Sequence, residues 1–206
     1  MAATQSGVPA KRADAQRNIA AILEAALETL GRNPEASVSE IAKAAGVGRV
    51  TLYGHFPSRA ELVEAAFARA IEDGHDALDG VDLSGDPREA LSRLIESSWH
   101  LVDRSRSLLL AAQSVLPPGR IRTLHAEPAE RAQRLVERGR TEGQFRTDLP
   151  TTWLVGILHS VMHSAADEIN AGRLTPDKAA AYITATVLAA FTPPGQPVPK
   201  SGELEA

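Results

Sequence analysis

The chain of 206 residues contains no cysteine, which excludes a disulfide framework and thiolate zinc sites and agrees with an intracellular protein. Aromatics are scarce, with two Trp, two Tyr and four Phe, and Met occurs twice; a binding cavity would therefore be aliphatic with a few polar groups rather than aromatic-rich. No apolar run approaches the roughly 18 residues of a membrane span. Residues 1–18 carry Lys11, Arg12 and Arg17 but no apolar core of a signal sequence. The expectation is a cytoplasmic chain with no membrane partner. The catalytic and nucleotide-binding patterns G-x-S-x-G, H-E-x-x-H and G-x-x-x-x-G-K-[ST] are also missing, and Gly46-Val47-Gly48 follows a helical pattern instead of a strand and lacks a third glycine. Neither an enzyme nor a cofactor is expected.

What is present is 43% hydrophobic and 23% charged, within the range of one large or two small globular domains. The formal charge of −4 is unevenly spread: residues 1–60 hold seven Lys/Arg against five acids, a surplus of +2, so the remainder carries −6. Phosphate attraction depends on local charge, so this asymmetry suits a DNA-facing end joined to a body that DNA does not touch.

Apolar periodicity is helical almost throughout, no useful strand alternation occurs, and an all-α fold follows. Residues 1–13 are read as a disordered arm, and the proline-rich tail at 192–206 as disordered too. A first helix is predicted over about Asp14 to Leu30, with Ile19, Ile22, Leu23, Ala26, Leu27 and Leu30 on one stripe. Ser37 and Glu40 form an S-x-x-E capping box for a second helix ending at Gly46. A third runs from about Arg49 to Phe56, and Ser58 with Glu61 caps a fourth continuing through Ile71. The glycine- and aspartate-rich stretch 74–86 reads as a linker. It separates an N-terminal domain, 14–73, from a helical body, 86–191. In the body Asp86-Pro87-Arg88-Glu89 starts a helix through Val102. A short helix is expected around Arg106 to Leu116, then others over about Pro128 to Glu142, Pro150 to Asn170 and Pro176 to Phe191.

The stretch VSEIAKAAGVGRVTLYGHFPS, residues 38–58, has the spacing of a helix-turn-helix. There the first helix braces on the DNA backbone and the second lies in the major groove. Ile41, Ala45, Val47, Leu52 and Phe56 suit its small core, and Ala44-Ala45-Gly46 permits a positive φ at the turn. Arg49, Val50, Thr51, Tyr53 and His55 are left to face outward. Arg49 can donate bidentately to guanine, and the Val50 and Thr51 methyls can meet a thymine methyl. Tyr53, His55, Lys43, Ser39 and Arg59 suit phosphate oxygens, as do first-turn N–H groups after Ser37 and Ser58.

Ile41-Ala42, Ala45-Gly46-Val47, Thr51-Leu52-Tyr53, His55-Phe56-Pro57-Ser58 and Glu61-Leu62 together resemble the tetracycline-repressor (TetR-like) regulators, over about residues 14–67. A second echo is Val136-Glu137-Arg138-Gly139-Arg140, then Glu142-Gly143-Gln144-Phe145-Arg146 and Asp148. The resemblance implies an all-helical homodimer: a three-helix DNA-binding domain, and a helical-bundle domain that binds a small-molecule effector and dimerises through its last two long helices. It also implies a repressor of a pseudo-palindromic double-stranded DNA operator. The chain departs from the common pattern at Gly48, where a serine often caps the recognition helix, at Gly54, where a larger residue is usual, and at Arg59, where lysine is frequent.

For an effector cavity in the bundle, Trp99, Val102, Leu109, Leu110, Gln113, Trp153, Leu158 and Met162 are the candidate lining. His159, His163 and Asp167 stand at i, i+4 and i+8. Two histidines one turn apart can share a metal, but eight residues rise about 12 Å, so all three cannot meet one ion. No metal site is expected, and these residues read as a polar seam at a dimer interface, with the small residues Gly156, Ser160, Ser164 and Ala165 allowing close approach. A metal sensor using His159 and His163 is one alternative; a regulator with a solid core, controlled by a protein partner or by its own abundance, is another.

Overall fold

The computed structural model of the chain describes residues 7–199, with the backbone alone for residues 7–12 and 127. Those residues form helices and no strand: α1 (Gly7–Arg32), α2 (Val38–Ala44), α3 (Arg49–His55), α4 (Arg59–Leu78), α5 (Pro87–Val115), α6 (Pro118–Leu124), α7 (Ala126–Thr141), α8 (Thr151–Asn170) and α9 (Pro176–Phe191). The chain divides into two compact units, one of residues 1–72 and 107–122, the other of 73–106 and 123–206. Residues 1–6 of the expected arm and 200–206 of the expected tail lie outside the described residues. The rest of the arm is helical, because α1 starts at Gly7, whereas residues 192–199 form turns and irregular chain.

In the first unit α1 buries Ile22, Ala26 and Leu30 of its predicted stripe and Ala25 beside them, and α2 adds Val38, Ile41 and Ala42. α1 packs on α2 and α2 on α3. From the middle of the sequence, α6 returns to α4 through an ion pair whose Arg120 Nε donates to Glu64 Oε1 at 2.7 Å.

The second unit has a core of Leu91, Ile95, Trp99, Val136, Phe145, Leu154, Leu158, Ile183, Val187 and Phe191, drawn from α5, α7, α8, α9 and the α7–α8 connection. The residues that echo the family body build the corner after α7. Gly143 at φ 72 ends the helix, with Gln144 N–H donating to Gly139 O at 2.8 Å. The chain then folds back so that Phe145 lies on Gly139, where a Cβ would sit inside van der Waals contact of ring carbons Cδ2 and Cε2. Phe145 meets Phe191 edge-on at 5.6 Å between centroids, and Arg146 N–H donates to Phe191 O at 2.8 Å.

Two helix boundaries differ from the periodicity. α5 is continuous over 29 residues where a break was expected between Val102 and Arg106. The polar run Asp103-Arg104-Ser105-Arg106 interrupts the apolar pattern but contains no helix breaker, and none occurs between Pro87 and Pro117. α4 runs through Gly74 to Leu78, so the expected linker is helical in its first third, a lone glycine being tolerated inside a helix. The remainder is pinned by arginines of the same unit. Arg93 donates to Asp82 O at 2.8 Å and Ser84 O at 2.7 Å, Arg131 to Leu78 O, and Arg138 to Gly85 O at 3.2 Å.

Gly139→Ala is expected to lower stability by about 1–3 kcal/mol, the cost of overpacking a buried site. Urea unfolding checks this, and an unchanged midpoint would contradict the Gly139–Phe145 contact.

Candidate nucleic-acid interface

The interface is built from the ends of short helices. Ser37 begins α2 with a complete capping box: its Oγ accepts from Glu40 N–H at 3.3 Å, and Glu40 Oε2 accepts from Ser37 N–H and Oγ–H, each at 2.7 Å. These hydrogen bonds hold the Glu40 carboxyl below its ordinary range. The far end closes in a Schellman turn. Val47 N–H reaches Ala42 O at 3.0 Å and Gly46 N–H reaches Lys43 O at 3.2 Å, with Gly46 at φ 67. The chain is thereby turned onto α3 within three residues. Gly48 stands at the N-cap of α3 in extended conformation, without a side-chain cap. Ser58 Oγ donates to Glu61 Oε1 and accepts from Glu61 N–H, both at 3.1 Å, at the start of α4.

α3 has seven residues and buries one, Leu52. Of the other expected core positions Ile41 is buried, while Ala45, Val47 and Phe56 are half-buried. Fixing Leu52 inward turns the opposite side of α3 to solvent: Arg49, Val50, Thr51, Tyr53 and Gly54 are exposed, Val50 to 89%. His55 is half-buried. Ser39 and Lys43, one turn apart on α2, and Ser37 are exposed.

Arg59 departs from the expected set of phosphate ligands. It is half-buried, and its Nη2 donates to Pro34 O at 2.8 Å and Ala36 O at 3.2 Å. The guanidinium ties the start of α4 to the α1–α2 connection, and that N–H group is already committed. Lysine lacks the planar guanidinium that places this N–H group between the two carbonyls. Gly54 was marked only as a departure from pattern. A Cβ there meets nothing within 4 Å, so alanine would fit, and glycine costs a helix interior about 0.5–1 kcal/mol.

The proposed cavity residues are divided between the two units. Trp99, Leu158 and Met162 are in the core of the second unit with Val102 packed against it. Leu109, Leu110 and Gln113 fall in the first unit, and Trp153 is 59% exposed on α8. A depression of about 560 Å³ between α5 and α9 is lined by other residues, among them Arg88, Glu89, Ser92, Asp177 and Thr184.

His159 and His163 are half-buried. Burial, reinforced by His125 and His163, pushes His159 down to about 4. His163 is lowered by burial and by His125 and Arg106, against an opposing pull from Asp167. Asp167 is engaged by Arg106 of α5. Among the described residues no group of three or more His, Asp or Glu is placed to hold a metal ion. Ala165, expected among the small surface residues of α8, is buried, whereas Gly156, Ser160 and Ser164 are exposed.

A Schellman-turned helix pair with its second helix fixed by one inward leucine and open on the other face is a helix-turn-helix module. Residues 22–66 match the family model of the bacterial regulatory proteins, tetR family. The HTH-type transcriptional repressor LfrR of Mycolicibacterium smegmatis is 39% identical over 88 residues, 42% of this chain and 46% of LfrR, so the match spans about half the length of that relative. The crystal structure of the TetR-like regulator LfrR from Mycobacterium smegmatis in complex with proflavine shares the fold at TM-score 0.68 and 23% identity, over 85% of this chain and 97% of that one. A TetR family regulator from Marinobacter aquaeolei VT8 does so at TM-score 0.68 and 20% identity, over 88% and 98%. Residues 22–66 are thus similar to the tetR family module, and the chain shares the fold of these regulators. Among the described residues no helix is long and apolar enough to cross a membrane.

Arg59→Ala is expected to lower stability by about 1–3 kcal/mol through the stranded carbonyls, with Arg59→Lys recovering part of it, as read by urea unfolding. A second outcome concerns pH. Folded His159 stays neutral down to about pH 4, whereas its ordinary pKa is 6.5; in that window the unfolded chain binds more protons, so stability falls as pH drops. His159→Gln should flatten the decline of the urea midpoint between pH 6.5 and 4, and an unchanged slope would contradict it.

Proposed function

We propose that the chain is a cytoplasmic, dimeric, sequence-specific DNA-binding regulator of transcription, a repressor that leaves a pseudo-palindromic operator when a small molecule binds. The observation that carries the reading is the outward face of α3, where Arg49, Val50, Thr51 and Tyr53 stand exposed on a helix fixed by Leu52. Residues 14–73 read DNA on this account, and residues 86–191 bind the effector and dimerise. Arg49 donates to guanine at the helix N-terminal end, Thr51 and Val50 meet base edges, and Ser39, Lys43 and Tyr53 anchor phosphates.

The dimer joins the exposed faces of the last two helices, Trp153, Gly156, Ser160 and Ser164 on α8 with Tyr182, Thr186 and Ala189 on α9. Exposed aromatics beside small residues suit a packed helix–helix interface. The proflavine complex of LfrR supports a small-molecule effector. Two recognition helices must meet half-sites about 34–36 Å apart per helical turn, so an effector that changes their spacing releases the DNA.

Selection of bound DNA from a random pool, followed by affinity measurement across salt concentrations, tests the reading. Arg49→Ala should weaken binding to the selected sequence about tenfold or more while sparing random DNA, the loss of one base contact. Lys43→Ala should weaken both and reduce the salt slope by about 1 per site. Equal losses on selected and random DNA for Arg49→Ala would remove it as a base reader, and failure to enrich any sequence would overturn the function.

A further inference from the structure

Gly54 is a residue that the fold does not require. It lies inside α3, outside the set of glycines with left-handed backbone, so any residue can adopt its conformation. A Cβ at this position meets nothing within 4 Å, so packing does not exclude one either. Glycine nevertheless weakens a helix interior, and α3, with seven residues and one buried side chain, has little stability to spare. The position is exposed and lies one turn beyond Val50, the residue exposed to 89%. With about 100° per residue, Val50 and Gly54 flank the direction opposite Leu52. The centre of the outward face is therefore one bare backbone position beside one fully presented apolar side chain, with Arg49, Thr51 and Tyr53 around them.

We propose that Gly54 is a close-approach position: the bare α3 backbone there rests against the floor of the major groove and, with Val50, forms an apolar step that receives a thymine methyl. The proposal rests on the reading of α3 as the DNA-reading helix and deepens it by assigning a base-pair preference to a residue with no side chain. Val50 offers no hydrogen-bonding group, and the apolar group presented in the major groove is the thymine C5 methyl. A side chain at position 54 would stand between the helix and the base pairs, lifting α3 and drawing Arg49 and Thr51 off their partners. The nearby polar side chains supply the contacts to phosphates and other base edges, and the Val50–Gly54 step sets how deeply they descend.

The test uses the full chain with Gly54→Ala and Gly54→Leu, urea unfolding, and binding to the sequence that the wild type selects from a random pool. That DNA is prepared with thymine and with deoxyuridine in the half-sites. Gly54→Ala should raise the urea midpoint yet weaken binding to the thymine DNA about tenfold or more. It should lose less on the deoxyuridine DNA, where the methyl is gone, and Gly54→Leu should lose more than Gly54→Ala on both. Wild-type affinity for the thymine DNA in Gly54→Ala, a lowered urea midpoint in that variant, or equal losses on the two DNAs would each overturn the proposal. A wild-type chain that enriches no sequence would overturn the DNA-reading function itself, an outcome distinct from any of these.

Discussion

The burial of Leu52 is the constraint on which the rest of the N-terminal unit depends. α3 has seven residues, too few to hold a helix in water unaided, so its existence and its rotation both come from docking one side chain. α3 packs on α2, where Ile41 and Ala42 are buried, and α2 packs on α1, where Ile22, Ala26 and Leu30 are buried. The Schellman turn at Gly46 sets the direction in which α3 leaves α2, and the Ser37–Glu40 box fixes where α2 begins. Once Leu52 is inward, Val50 and Gly54 are outward, because helical geometry leaves no other choice. The outward face of α3 is thus the complement of a core contact, and its residues are free to vary in chemistry without disturbing the fold.

The C-terminal unit is held by the same kind of local closure at a different place. The corner after α7 depends on the absence of a Cβ at Gly139, which lets Phe145 lie on the helix and meet Phe191. Arg146, hydrogen-bonded through its N–H to Phe191 O and paired with Asp148 at 2.7 Å, joins the corner to the end of α9. The residues that resemble the family in this part of the chain therefore form a structural joint. Burial lowers the proton affinity of half-buried His159 and His163, which suits a helix packed inside a bundle.

Much of this was legible in the sequence because it is local. The apolar stripe of α1, both serine caps, the turn at Gly46, the Asp86-Pro87 start of α5 and the last three helices all follow from residues within one or two turns of each other. The positions that periodicity misplaced depend on distant partners. Arg59 resembles a surface cation until Pro34 and Ala36 supply its acceptors. The stretch after Leu78 resembles a free linker until Arg93, Arg131 and Arg138 pin it. Residue type alone points to Trp99, Leu110 and Trp153 as cavity lining, but type does not say that Leu110 joins the first unit or that Trp153 is exposed. Gly54 departs from the usual pattern in the sequence itself, and the open space around it shows that packing is not its cause.

The central claim is that α3 reads the major groove, with Arg49 at its N-terminal end facing guanine. Methylation of guanine N7, which projects into that groove, tests it most directly when applied to the selected operator before binding. The account predicts that methylated guanines block binding in two symmetric clusters, centred about 10 bp apart or a multiple of that spacing. Binding indifferent to N7 methylation, or interference confined to adenine N3 in the minor groove, would contradict it.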